Sequence, residues 1–175
     1  MKRPGTSRHA SQILIAAALM LLATAEAAPS HPGGPGGDSD APWTAHIQRV
    51  DEALAKGNTS AAEMAWHDAY VTALRTRRWQ GLVEVGDAAL RLGEAGRNRR
   101  VSEAKARGAY WAALFRARHE RSQAGVLRTA EAFAALGDQE VAVQCTRIAE
   151  GLAAQGQDAG ARARVQALRH RLAVH

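Results

Sequence analysis

From Thr44 onward, apolar residues recur every three or four positions, and short polar or glycine-containing breaks interrupt them. Spacings of 3 and 4 keep such residues on one face of an α-helix. The first run predicts a helix over about 44–56, with Ile47, Val50 and Leu54 inward and Gly57-Asn58 ending it. A second begins at Thr59-Ser60, where Ser60 and Glu63 match a capping box, and turns Ala62, Trp66, Ala69, Tyr70, Ala73 and Leu74 inward. A third covers about 79–92, with Leu82, Val83, Gly86, Ala89 and Leu90 inward, and Gly93-Glu94-Ala95-Gly96 breaks it. The fourth is long, about 98–120. Its predicted inward stripe is Val101, Ala104, Gly108, Trp111 and Phe115, widened by Tyr110 and Leu114. Gly108 in mid-helix costs about 1 kcal/mol relative to alanine, a cost expected where a neighbouring helix packs closely.

A fifth helix covers about 122–136, with Val126, Leu127, Ala130, Phe133 and Ala134 inward and Gly137 as its stop. Asp138 is placed to cap a sixth helix, whose stripe is Val141, Cys145, Ile148 and Leu152 and which Gly156 closes. Asp158 can cap a seventh, with Ala161, Val165, Leu168 and Leu172 inward and Arg162, Arg164, Arg169 and Arg171 on its other side. The two-residue alternation of a strand is missing. The expected fold is therefore all-α: about seven antiparallel helices as consecutive hairpins, with a compact helical bundle as the alternative.

The N-terminus changes the picture of compartment. Lys2, Arg3 and Arg8 precede an uncharged apolar run of 13 residues over 13–25, and Ala25-Glu26-Ala27 follows with a small-x-small pattern. This is the layout of a cleaved secretory signal over 1–27. The run is too short for a bilayer, which needs about 20 apolar residues. Residues 28–42, rich in proline and glycine, read as a flexible linker, and 43–175 as the helical domain. The expected location is periplasmic or secreted.

Charge points to a partner class. The chain holds 23 Lys+Arg against 17 Asp+Glu; without Lys2, Arg3, Arg8 and Glu26 the balance is 20 against 16. The excess gathers in 97–121, with Arg97, Arg99, Arg100, Lys105 and Arg107 as its leading patch. An exported protein rarely meets nucleic acid, so an acidic protein or envelope polymer is the better functional match. The alternative is a solvated helix face. Cys145 is the single cysteine, which excludes an internal disulfide, and its place on an apolar stripe predicts a buried structural thiol.

Motifs for chemistry are missing. The histidines, His9, His31, His46, His67, His119, His170 and His175, show no i, i+4 pair and no His-Glu-x-x-His. There is no haem-attachment motif, nucleophile elbow or phosphate loop, so no metal and no cofactor are expected. Glu84 and Asp87 share a helix face, but nearby Arg91 makes an ion pair the expected role. Trp66, Trp79 and Trp111 read as core residues, and Trp43 as either core or contact residue.

The hairpin over 123–154 resembles a tetratricopeptide repeat. Gly137 falls at its turn, Ala142 and Ala149 at its small positions and Phe133 at its large one. Weaker matches start near Trp79, with Gly86 and Gly93, and near Trp43, with Gly57, Ala62 and Ala69. The turn glycines are 36 and 44 residues apart, which requires an insertion near 97–102. Thr146 stands where an aromatic is usual, and Ala154 where proline is usual. The resemblance implies a groove lined by the first helix of each pair. Its contact set would be Gln80, Glu84, Asp87, Arg91, Arg128 and Glu131. The function so implied is an exported, non-enzymatic scaffold that binds a protein or peptide. The alternatives are a small helical ligand-binding or enzymatic bundle, and a basic envelope-associated protein.

Overall fold

The computed structural model describes residues 41–96, 98–155 and 159–173. The expected leader over 1–27, residues 28–40 of the expected linker, Arg97, Gly156, Asp158, His175 and the side chain of Ala161 lie outside the described residues. Among the described residues every regular element is helical: α1 (Thr44–Ala55), α2 (Thr59–Thr76), α3 (Trp79–Ala95), α4 (Arg99–His119), α5 (Gln123–Ala135), α6 (Gln139–Gln155) and α7 (Ala159–Ala173). The all-α expectation therefore holds, with seven helices and no strand among the described residues.

The turns follow from local chemistry. Gly57 and Gly137 adopt φ of +68° and +81°. Their backbones close the same C-terminal motif: Asn58 N–H donates to Ala53 C=O at 2.9 Å, and Asp138 N–H to Phe133 C=O at 2.9 Å. Arg121 takes the same left-handed position after α4, with Ser122 N–H donating to Ala117 C=O at 2.8 Å. Arg77 takes it after α2. The capping box is not formed. Asn58 is the N-cap of α2, its Oδ1 accepting from Ala61 N–H at 3.0 Å. Asparagine directly before the helix out-competes a serine two residues further on, so Ser60 and Glu63 lie inside the helix. Gly93 is not a turn residue either. Helix α3 runs through it to Ala95, and Gly93 is buried against Ser102 of α4.

Each helix packs on the next in sequence, and α3 with α4 forms the most extensive pair. Contacts two helices apart link α1 to α3, α3 to α5 and α5 to α7. The odd-numbered helices thus form one layer, and α2, α4 and α6 bridge it from the other. The bridging helices share one spacing. Ala62, Trp66, Ala69 and Ala73 in α2, Ala106, Tyr110, Ala113 and Ala117 in α4, and Ala142, Thr146, Ala149 and Ala153 in α6 are all buried. Small side chains let the helices approach closely. Glycines of the odd layer receive the aromatic rings. A Cβ on Gly81 would lie 2.7 Å from the Trp43 indole, one on Gly125 would lie 2.8 Å from the Trp79 indole, and one on Gly86 would collide with the Tyr110 ring. Trp43, which the sequence left as core or contact residue, is 2% exposed and belongs to the core, as does Ala41. Fully buried Leu82, Val85, Val126 and Phe133 fill the centre, each worth about 1.5–3 kcal/mol of transfer free energy.

Helix α4 buries Tyr110 and Leu114 as expected but turns the predicted stripe beside them outward. Val101, Ala104, Gly108, Trp111 and Phe115 are all exposed, and the core is met by Ser102, Ala106, Ala109, Tyr110, Ala113, Leu114 and Ala117. The alanines meet the close approach of α3, and the one large ring there, Tyr110, enters beside Gly86. No neighbour comes near Gly108: a Cβ there would meet nothing within 4 Å. Leu74, expected inward, is likewise exposed.

Candidate interaction surfaces

The polar set expected to line a groove is brought together on the odd layer, but most of its members are engaged by side chains of the chain itself. Asp51 of α1 accepts from Arg91 of α3 through both carboxylate oxygens, at 2.8 and 3.2 Å. Asp87 of α3 accepts from Arg128 of α5 at 2.5 Å and from the Tyr110 hydroxyl at 2.7 Å. Glu131 of α5 accepts from Arg171 of α7 at 3.0 Å. Glu84 accepts from Trp43 Nε1 at 2.8 Å. Gln80 is half-buried, and its Oε1 has no hydrogen-bond partner among the described residues. Asp51, Asp87 and Glu131 each thus reach an arginine of the helix two places on, a ladder that ties the layer together. Exposed pairs of this kind add little each, about 0–1 kcal/mol. Asp87 differs because Tyr110 is buried and its hydroxyl depends on that carboxylate. Burial and the adjacent Asp87 charge push the Tyr110 phenol far above its ordinary range.

The leading basic patch is dispersed over several directions. Arg99 pairs with Glu103 one turn on, at 2.8 Å. Lys105 leans onto α2, 3.6 Å from Glu63 and over the Trp66 ring. Arg107 makes a two-pronged contact with Asp138 at 2.5 and 3.1 Å, and that hydrogen bond, above all, raises its pKa. Asp138 directly precedes the first residue of α6, and its carboxylate is held by Arg107 of α4. Arg100 is exposed.

The outer face of α4 is the surface left unclaimed. Val101, Trp111 and Phe115 are 49%, 39% and 61% exposed. On a helix of 3.6 residues per turn these three, with Ala104 and Gly108, fall within about 80° and along about 21 Å. That sector is opposite the buried alanines. The Trp111 ring stands 5.0 Å from Phe133 and 6.1 Å from Phe115, so the aromatic end of the ridge is anchored on the core. An apolar ridge facing solvent is a signature of an interaction surface.

No family model, curated protein or solved structure matches this chain.

The described residues contain no group of three or more His, Cys, Asp or Glu able to hold a metal ion. None of their helices is long and apolar enough to cross a membrane. Cys145 is buried, and burial raises its thiol pKa to about 11, with Arg118 opposing. A thiol of that kind is a poor nucleophile at neutral pH. Sequence reasoning identified the α4 stripe but turned it inward. The signal that places it was present: Trp66 and Tyr110 share the setting Ala-x-x-x-aromatic-x-x-Ala, and aligning them puts Ala106 and Ala113 on the core side.

Proposed function

We propose that the protein is an exported, non-enzymatic scaffold of tetratricopeptide-like helical hairpins that docks a protein partner on the outer face of α4. The observation that carries this reading is the exposed ridge of Val101, Trp111 and Phe115 on a helix whose opposite face is fully packed. Leaving a tryptophan and a phenylalanine in water forfeits apolar burial that a partner recovers. The groove of the odd layer supports binding less well. There, Asp87, Arg91, Arg128 and Glu131 are engaged within the chain. Export rests on the pattern of residues 1–27.

Photo-crosslinking in the native host tests the surface. A photoreactive residue at Phe115 should capture a discrete protein, and one at Glu131, on the odd layer, should not. Capture from Glu131 alone would move the site to the groove. N-terminal sequencing of fractionated protein tests export: a chain beginning at Ala28 outside the cytoplasm is expected, and an intact leader on cytosolic protein overturns it.

A further inference from the structure

Building on the docking role of α4, we infer that the occupant of this face is an amphipathic helix of a protein partner, with carboxylates along both edges of its apolar stripe. The ridge itself has the dimensions of one helix. It is a single side chain wide and about 21 Å long, matching a partner segment of about 14 residues. Its edges are basic. On the helical wheel Arg100 and Arg118 border the ridge on one side, and Lys105 and Arg116 on the other. Within α4 the single acid is Glu103, which pairs with Arg99 away from the ridge. Lys105 and Arg107 are partly neutralised by Glu63 and Asp138, so Arg100, Arg116 and Arg118 dominate the rim. Arg100 also sits in the first turn of α4, which holds no acid. Positive charge there opposes the helix dipole. It therefore does not serve the helix, and it suits an incoming anion.

The middle of the ridge decides among the anionic candidates. Ala104 and Gly108 leave a notch between Val101 and the two aromatics, and the space over Gly108 is open. A side chain from a packing helix fills such a notch as a knob. A lipid surface satisfies the basic rim but makes no use of a notch. A second copy of the chain would set basic rim against basic rim.

Two synthetic helices of about 18 residues test this, sharing one Leu/Phe stripe and edged either by Glu or by Lys. Binding of each labelled peptide to the purified protein is read by fluorescence anisotropy. The Glu-edged peptide should bind at least about tenfold more tightly than the Lys-edged one. Its binding should weaken as salt rises from about 0.05 to about 0.5 M. The paired change Arg100→Glu with Arg118→Glu should reverse the preference. Gly108→Leu should weaken binding about tenfold or more without lowering the thermal midpoint, because nothing packs there. Equal binding of the two peptides, or no effect of Gly108→Leu, overturns the inference. So does binding confined to phosphatidylglycerol vesicles, or a dimer in sedimentation that Phe115→Ser abolishes. Crosslinking at Phe115 separates the two levels of argument. Capture of a protein without Glu-edged selectivity leaves α4 as a docking face and removes only the acidic helix. Absence of capture removes the docking role itself.

Discussion

On the odd layer Asp51, Asp87 and Glu131 each meet an arginine of the helix two places on. On the outer face of α4, arginines stand beside a half-exposed tryptophan and an exposed phenylalanine. Both surfaces are amphipathic and rich in arginine. The first uses its charges to register one helix against another. The second leaves both its charge and its apolar area unspent. Polar residues on a helix surface therefore do not mark a binding site by composition; whether the chain itself answers them does.

That contrast can be broken by asking where substitution costs stability and where it costs only binding. The largest loss is expected at the glycine beneath the ladder. Gly86→Val drives a branched side chain into the Tyr110 ring and should cost about 3 kcal/mol in urea unfolding. Next comes pH. The Cys145 and Tyr110 pKa values are raised in the folded chain, so their contribution is complete below the ordinary thiol pKa of about 8.5. It declines as pH climbs toward the folded values. The unfolding free energy should be level from about pH 7 to 8 and fall from about 9 to 11, by about 2 kcal/mol. Cys145→Ala should flatten part of that slope. A flat profile in the parent protein would contradict the burial of both groups.

Within the ladder the rungs should be unequal. Asp87→Ala strands the Tyr110 hydroxyl and frees Arg128, a loss of about 1.5 kcal/mol. Asp51→Ala and Glu131→Ala remove exposed pairs and should cost about 0.5 kcal/mol or less. Equal losses at all three would mean that the buried phenol does not depend on Asp87. Moving to the outer face reverses the sign. Gly108→Ala meets open space and should stabilise the protein by about 1 kcal/mol. The smallest expected change is at Phe115→Ser, within about 0.5 kcal/mol, while crosslinked or bound partner is lost. A large drop in stability there would show that Phe115 is packed.

Most helix limits were legible in the sequence because their signals are local. Gly57 and Gly137 announce left-handed turns, and apolar spacing announces each run between breaks. Two starts and stops went astray where two local signals competed. Asn58 displaced Ser60 as a cap, and α3 continued through Gly93. The orientation of α4 was misread for a different reason. Val101, Trp111 and Phe115 outweigh alanine in hydrophobicity, yet burial is decided by what fits against α3. The ladder could not be read at all, because each rung joins residues about 40 positions apart. What the sequence held was the list of participants; their pairing needed the helices placed.

The near-neighbour packing of the helices carries a kinetic consequence. Because every principal contact joins elements one or two apart in order, little loop closure precedes the first gains of burial, and rapid assembly follows. The α3–α4 pair is the natural nucleus. At the far end, α7 is held by Val165, Leu168 and two surface ion pairs to α5 and α6. Amide protons there should exchange first, so the chain opens from its tail inward while the middle hairpin stays closed.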